Sequence, residues 1–405
     1  MKILVVGHDF PWPQVYGTNF RLAHTVNAAS LIADTDFFCQ VGGIRSGPFE
    51  APPDIVLRRL ETPKTVVPNA SALRRLKWIT APGKPLEVVA AHSTAMMKRF
   101  SDWVDPPYDL CWFNKAATFE LMGRPKLGPT IVDLDDLEDQ KIIARMAIME
   151  EEIKGRSALR KSAARRQASL NANRWATLQM RIANEVERVA LCSDLDATRF
   201  SAPNVFVVPN GYDKPLVPAG TPEVGDPPTI LLQGSMRYAP NTDAARWLVD
   251  EISPLIRREI PTVEIRLVGD PDGSVMRLND PPRTTLVGLV PQMAPELARA
   301  DVVAVPIRYG SGTRIKILEA FAHGVPVVST TLGAEGLGIE PNEHYLAGDD
   351  PESFAKACCT LLRDGDLRQR LIDQGRQVFL ERFQWSAIEG RIKELMLSVA
   401  GASDS

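Results

Sequence analysis

The chain has 405 residues, of which 44% are apolar and 24% are charged, and its formal net charge is −3. This length exceeds one ordinary hydrophobic core and favours two domains, and the composition is that of a soluble globular protein. The slightly negative charge argues against general nucleic-acid binding, and no apolar run is long enough to predict a membrane-spanning helix.

The five cysteines are odd in number and lack the spacing of metal sites or disulfides. We therefore expect small buried residues in a reducing compartment, which favours a cytoplasmic protein. The N-terminal run MKILVVGHDF is too short for a secretory leader and predicts a first β-strand.

In the first half of the chain, apolar runs alternate with helical patterns. A helix is predicted to open at Gly17 after a loop with two prolines, and another helix is predicted over 86–103. No G-x-G-x-x-G follows the first strand, which disfavours a nicotinamide dehydrogenase. The predicted strands are 2–7, 36–41, 55–60, 109–113, 130–134, 188–192 and 205–208.

Residues 140–186 predict a long helical excursion from this first domain, which we place at 1–212. The stretch 154–174 contains seven basic residues and no acidic one. One hypothesis is a solvated helical face. The alternative is contact with an anionic membrane surface or an anionic acceptor.

The proline- and glycine-rich stretch 213–228 predicts a linker, after which the alternation restarts over 229–380. The segment 381–405 contains a last predicted helix, which we expect to pack back on the first domain. Strands that alternate with helices predict parallel sheets with both faces covered. Two such units are expected to face a ligand cleft at the carboxyl ends of their strands.

The most informative stretch runs from Ala304 to Thr331 and predicts a strand, a small-residue loop, a helix and a strand. Arg314 and Lys316 lie in the expected first turn of the helix, which Gly324 is expected to end. Cations are disfavoured at a helix N-terminus unless an anion lies between them, so this pattern indicates a phosphate ligand. The alternative is an ordinary β-α-β connection with solvated basic residues.

Four segments together carry a resemblance to a known family. They are GSMRYAPNTDA from Gly234 to Ala244, LVGLVP from Leu286 to Pro291, GSGTRIKILEAFAHGVPVVST from Gly310 to Thr330, and ERFQWSAI from Glu381 to Ile388. The chain resembles a retaining nucleotide-sugar glycosyltransferase of family 4, also called group 1, with the GT-B fold. This implies two Rossmann-like α/β domains that face a central cleft, with the acceptor bound by the first domain and the donor by the second.

The resemblance also implies roles for single residues. Glu319 would bind the ribose hydroxyls of the donor, the Leu289–Val290 backbone would bind the base, and the Gly17 loop would approach the diphosphate. The remaining donor-binding positions implied by the motifs are Gly234, Ser235, Gly310, Ser311, Gly312 and Thr313.

Several positions depart from the family pattern. Ser311 stands near the place where many relatives carry a first glutamate, and Ser235 and Pro240 stand where they carry Arg and Lys. We expect Arg314 and Lys316 to supply the missing charges and to stabilise the leaving diphosphate. Asp135 replaces a histidine that relatives often have. Its role could be that of an acceptor-side base, a sugar contact, or neither.

The implied reaction is transfer of a sugar from a nucleoside diphosphate sugar to a hydroxyl of a glycan, lipid-linked or small-molecule acceptor. Retention of configuration is implied by the resemblance alone, and no metal cofactor is expected. One alternative is a divalent cation bound by the D-x-D pattern at Asp133 and Asp135. The others are a nucleotide-sugar epimerase and a catalytically inactive binding subunit.

Overall fold

The computed structural model describes residues 1–13, 17–42, 49–65, 72–81, 83–152, 158–213, 223–271, 273–310 and 313–401. The chain forms two compact units. The first consists of Met1–Asn210 together with Trp385–Ser405, and the second of Gly211–Gln384.

The first unit contains parallel strands separated by helices. Its described strands are β1 (Lys2–Gly7), β2 (Asp34–Cys39), β3 (Val41–Gly42), β4 (Arg59–Glu61), β5 (Lys64–Thr65), β6 (Leu110–Asn114), β7 (Thr130–Asp135), β8 (Arg188–Leu191) and β9 (Val205–Val207). The described helices that precede the second unit are α1 (Gly17–Ser30), α2 (Ala72–Thr80), α3 (Leu86–Ala91), α4 (Thr94–Trp103), α5 (Ala116–Leu121), α6 (Glu138–Glu152), α7 (Ala158–Ala183) and α8 (Asp194–Phe200).

Seven of these strands form one parallel sheet in the order β4-β2-β1-β6-β7-β8-β9, and β3 pairs separately with β5. Every residue of β6 and β7 is buried. Both faces of the sheet are therefore covered, as the continuous apolar runs predict for a parallel sheet.

The second unit repeats this architecture. Its described strands are β10 (Thr229–Gln233), β11 (Glu264–Val268), β12 (Thr284–Gly288), β13 (Val302–Val305), β14 (Val327–Ser329) and β15 (Leu346–Ala347). Its described α-helices are α9 (Ala239–Trp247), α10 (Ser253–Glu259), α11 (Ala294–Leu297), α12 (Ile315–His323), α13 (Thr331–Ala334), α14 (Pro351–Arg363) and α15 (Gly365–Arg382). A π-helical turn spans Leu248–Ile252, and a 3₁₀ turn spans Met276–Leu278.

The strand order in this second sheet is β12-β11-β10-β13-β14-β15, and all pairs are parallel. In both sheets the strands that come next in the chain are added on one side of the first strand, and the later strands are added on its other side. The reversal lies between β1 and β6 in the first sheet and between β10 and β13 in the second. Loops that leave such neighbouring strands diverge and open a crevice at their carboxyl ends.

Helix α12 is fixed by its apolar face and by its neighbour α15. Ile317, Leu318 and Phe321 are buried, and the helix ends at Gly324, whose φ of 68° is left-handed. On α15, a Cβ atom at Gly375 would lie 2.6 Å from Phe321 Cδ1. Only a residue without a side chain lets the two helices approach this closely.

The last helix, α16 (Trp385–Ala400), belongs to the first unit and packs against α1. The His24 ring stacks on the Trp385 ring with centroids 4.2 Å apart. His24 Nδ1 lies 2.6 Å from Glu389 Oε1. A cluster of aromatic and polar contacts thus joins this helix to α1.

Several predicted boundaries are wrong in informative ways. The helix predicted over 86–103 is two helices, because the Ser93 side chain accepts a hydrogen bond from Met96 N at 3.3 Å and caps a new helix. The strand predicted over 55–60 is reduced to Arg59–Glu61. Strand β12 ends at Gly288, so Leu289 lies in a loop.

All five cysteines are buried thiols, which confirms the prediction of small core residues. In the part of the chain that the structure describes, no helix is both long enough and apolar enough to cross a membrane.

We expect Gly269→Ala to destabilise the second unit. Gly269 has a φ of 140°, and a Cβ there would lie 2.0 Å from the backbone oxygen of Gly234. Strain of this kind costs about 1–3 kcal/mol before the steric clash is added, and thermal or urea unfolding would measure it. Gly273→Ala is the matched control, because a Cβ at Gly273 meets nothing within 4 Å. Equal stability of the two variants would contradict this account of the turn.

Candidate functional site

Several of the predicted donor residues lie at the strand-order reversal of the second sheet. Strands β10 and β13 are neighbours, with Ile230 opposite Val302. Gly234 and Ser235 follow β10, and the loop that contains Gly310 follows β13. Because both strands end at the same edge, the two loops flank the crevice where ligands of such sheets bind. The predicted positions Ser311 and Gly312 lie outside the described residues.

The turn after β10 leaves room for a lysine from α12. Gly234 has a φ of 132°, and a Cβ at that position would lie 3.4 Å from Lys316 Nζ. Lys316 Nζ donates a hydrogen bond to Asn241 Oδ1 at 2.7 Å, and Asn241 Nδ2 donates to the carbonyl of Ser235 at 2.9 Å. The Lys316 amine therefore lies beside the first loop, near the Ser235 position for which we expected it to compensate.

Arg314 brings a second cation to the start of the same helix. It occupies the position just before α12 and is buried, so the prediction that it lies inside the first turn is off by one residue. A Cβ at Gly310 would lie 3.4 Å from Arg314 Nη2, and Gly310 has a φ of 111°. The N-terminus of α12 thus brings two basic side chains to the positive end of a helix, an arrangement that suits an anion.

Glu319 lies one helical turn after Lys316. Gln233 Nε2 is 3.4 Å from Glu319 Oε2 and 3.2 Å from the carbonyl oxygen of Lys316. Burial raises the pKa of Glu319 to about 7, against the Gln233 hydrogen bond and the charge of Lys316. Burial and the charge of Arg314 lower the pKa of Lys316 to about 7, against the charge of Glu319. Both groups titrate near neutral pH.

The predicted base-binding segment lies at the same edge of the sheet. Gly288 ends β12 with a φ of 81°, and its carbonyl accepts a hydrogen bond from Gly269 N at 2.8 Å. The next residue, Leu289, is 62% exposed, while Val290 is half-buried. An exposed leucine just beyond the end of a strand offers an apolar surface to a planar ring.

In the first unit, Asp135 lies at the end of β7 among cations. Lys115 Nζ is 2.8 Å from Asp135 Oδ2, and Asn210 Nδ2 donates to Asp135 Oδ1 at 2.8 Å. Burial raises the pKa of Asp135, but the charges of Lys115 and Arg21 outweigh it and hold that pKa well below its ordinary value. A carboxylate with so low a pKa is a weak base. This geometry favours a charge-positioning role over proton abstraction.

The D-x-D pattern is already occupied by basic side chains. Both oxygens of Asp133 accept hydrogen bonds from the Arg21 guanidinium, each at 2.7 Å. Asp136 Oδ1 is 2.5 Å from Lys141 Nζ and 3.4 Å from Lys115 Nζ. Nowhere in the described ranges do three or more His, Cys, Asp or Glu side chains form a group suited to a metal ion. The carboxylates that a cation would need are thus engaged by other partners.

Two polar residues at the reversal of the first sheet were not predicted as site residues. His8 follows β1, and its Nδ1 is 2.5 Å from Oδ1 of Asn114, the last residue of β6. Burial and the charge of Lys115 lower the pKa of His8. Asn114 and Lys115 directly follow a buried apolar run, which is the pattern that could have identified them.

The remaining predicted positions are Gly17 and Thr313. Gly17 is the first residue of α1, and Thr313 immediately precedes Arg314. In the basic stretch, Lys154 and Arg156 lie outside the described residues.

The comparison with protein families concerns the second unit. Residues 227–364 match the family model described as Glycosyl transferases group 1. This range contains Gly234, Leu289, Arg314, Lys316 and Glu319. The match covers less than half of the chain, so it shows a group 1 glycosyltransferase domain within the second unit.

Curated relatives match over part of their length. Phosphatidyl-myo-inositol mannosyltransferase of Mycobacterium leprae (strain TN) is 28% identical over 189 residues, which are 45% of this chain and 49% of the relative. The chain thus spans about half the length of this relative.

Solved structures match over nearly the whole chain. Sucrose-phosphate synthase from Thermosynechococcus elongatus has a TM-score of 0.70 at 18% identity, covering 99% of this chain and 100% of that one. Anabaena Alr3699/HepE in complex with UDP-glucose has a TM-score of 0.62 at 16% identity, covering 98% and 100%. At these identities the likeness concerns the fold alone, and it confirms the predicted GT-B architecture of two parallel-sheet α/β domains.

We expect Asp133→Asn to be strongly destabilising, because it leaves the buried Arg21 guanidinium without its bidentate partner. Breaking a buried pair on one side costs about 3–5 kcal/mol. Asp102→Asn is the matched control, since the Lys98–Asp102 pair is exposed and such pairs contribute about 0–1 kcal/mol. Chemical unfolding of both variants would measure the difference, and a mild effect of Asp133→Asn would contradict the network described.

Proposed function

We propose that the protein is a glycosyltransferase that moves a sugar from a nucleoside diphosphate sugar to a hydroxyl acceptor, with retention and without a metal ion. The observation that carries this proposal is the arrangement of Arg314, Lys316 and Glu319 at the strand-order reversal of the second sheet. These residues lie within the range that matches the group 1 family. The first unit is assigned to the acceptor.

The donor diphosphate would bind at the N-terminus of α12. Arg314, Lys316 and the backbone N–H groups would neutralise its charge. Glu319 would accept hydrogen bonds from the ribose hydroxyls, and the Leu289–Val290 loop would contact the base. When the anomeric C–O bond breaks, negative charge develops on the β-phosphate, and the same cations would stabilise it.

The proposal that no metal is required is supported by the charged side chains in each unit. Two cations at α12 could replace a divalent ion at the leaving phosphate. In the first unit, Asp133 is bound by Arg21 through both oxygens, so a D-x-D ion would have to displace a buried guanidinium. Asp135 is proposed to orient Lys115 and not to act as the base. Retention is supported by the family resemblance.

The first test is a thermal-shift screen of nucleotide sugars, followed by product analysis in EDTA with the one that stabilises the protein. Arg314→Ala should lower kcat about 10²- to 10³-fold, because one group that stabilises the leaving charge is lost. Arg370→Ala is the control, since Arg370 is exposed on α15 of the same unit. A loss of less than about tenfold in Arg314→Ala would count against the assigned role.

The product separates the proposal from its alternatives. A changed donor sugar with no acceptor consumed would indicate an epimerase, and a donor that binds without being transferred or hydrolysed would indicate a binding subunit. If no nucleotide sugar raises the Tm and Glu319→Ala changes nothing, the donor site is disproved. Loss of activity in EDTA would restore the metal hypothesis.

We also propose that the basic stretch contacts an anionic surface, such as the cytoplasmic face of a membrane. Arg160 and Arg166 are exposed on α7, whereas Arg174 lies over the Trp78 ring at 4.6 Å. Each basic residue near an anionic surface contributes about 1 kcal/mol, so Arg160→Glu with Arg166→Glu should weaken binding at least about tenfold. Sedimentation with phosphatidylcholine vesicles, with and without phosphatidylglycerol, measures this, and Arg370→Glu is the control. Equal binding by all variants would refute the contact.

A further inference from the structure

The Lys316 amine is held by a neutral amide. Nζ donates to Asn241 Oδ1 at 2.7 Å, and no carboxylate forms an ion pair with it among the residues that the structure describes. Asn241 Nδ2 donates to the Ser235 carbonyl at 2.9 Å, which fixes the amide with its oxygen towards the amine. Asn241 therefore holds Lys316 in place whether or not the amine is charged.

Glu319 is held in a similar way by a second amide. Gln233 Nε2 lies 3.4 Å from Glu319 Oε2 and 3.2 Å from the Lys316 carbonyl, so one side chain contacts both residues. Burial and then the charge of Glu319 raise the pKa of the Tyr212 phenol. Among the described residues, the charges that shift the pKa values of the pair are those of Arg314, which disfavours a charged amine, and of the two members themselves.

We propose that Asn241 and Gln233 are positioning residues that hold Lys316 and Glu319 as a pair that exchanges protons with solvent when the donor binds. Binding adds a proton to a neutral Lys316 amine and removes a proton from a neutral Glu319 carboxyl. The pair is three residues apart on one helix, so both groups face the same side. This inference rests on the proposed function, because it assigns the diphosphate to Lys316 and the ribose to Glu319.

The direction of proton exchange follows from the pKa values of the two groups in the protein alone, which are both about 7. A diphosphate favours the charged amine and raises the pKa of Lys316, so a proton is taken up above about pH 7, where the free amine is neutral. Ribose hydroxyls favour the ionised carboxylate and lower the pKa of Glu319, so a proton is released below about pH 7. The net number of protons that the protein takes up on donor binding should therefore change sign near pH 7.

Calorimetric titration with UDP, GDP and ADP in turn tests this reversal. The observed enthalpy is measured in buffers of different ionisation enthalpy at about pH 6 and about pH 8, and its slope gives the protons exchanged. We expect uptake that approaches about one proton per site at the higher pH and release that approaches about one at the lower.

Three variants assign the protons to residues. Lys316→Arg keeps the charge but cannot lose it, so uptake should vanish while binding persists. Glu319→Gln should abolish the proton release from the protein, so that the only protons still released on binding come from the terminal phosphate of the nucleotide. Asn241→Asp places a carboxylate beside the amine, which keeps Lys316 charged before the nucleotide binds and so reduces proton uptake. Asn342→Asp, in an exposed turn of the same unit, is the control.

The outcomes separate this inference from the function on which it rests. If a nucleotide binds without a reversal of sign, or if the reversal survives both Lys316→Arg and Glu319→Gln, the proton-exchanging pair is overturned and the donor site stands. Uptake unchanged by Asn241→Asp would overturn the positioning role of Asn241. If none of the three nucleotides binds, the donor site itself is overturned.

Discussion

Each sheet reverses its strand order once, and the reversal leaves two neighbouring strand ends without a loop that crosses between them. Polar side chains at those ends cannot enter the apolar layers above and below, so they must bind one another or a ligand. In the first sheet this happens at His8 and Asn114. In the second it happens at Gln233 and the residues that lead into α12. The positions of Gln233 and of the residues that lead into α12 follow from that one topological constraint.

The charged side chains at the strand ends of the two sheets have different partners. In the first unit, Arg21 is matched by Asp133, and Lys115 by Asp135, so buried charges of opposite sign neutralise each other. In the second unit, the Lys316 amine rests on an amide oxygen. The first arrangement is complete without a ligand and suits a rigid framework. The second leaves Lys316 without an ion-pair partner among the described residues, which is a property expected of a site for an anion.

Local signals predicted much of the fold. Gly324, which was predicted to end α12, follows the last residue of that helix in a left-handed conformation. The sequence did not predict the helix break at Ser93, because a cap competes with an otherwise continuous helical pattern. Nor could it predict the contact between Lys316 and Asn241, residues 75 positions apart, since spacing along a chain carries no information on which loops converge. The raised pKa of Glu319 depends on its burial, and the sequence does not predict that burial because it depends on where those loops lie.

The absence of a side chain at Gly375 has a consequence for the opposite side of α12. Because the Phe321 ring fills the space above Gly375, α12 cannot turn about its own axis without driving that ring into the backbone of α15. The orientation of α12 about its own axis is therefore fixed by the packing of Phe321 on Gly375, away from the residues proposed to bind the donor. Successive residues of a helix are about 100° apart, so a small rotation would swing Lys316 and Glu319 away from Asn241 and Gln233 together. Gly375 thus determines, through Phe321, the direction in which Lys316 and Glu319 point from α12.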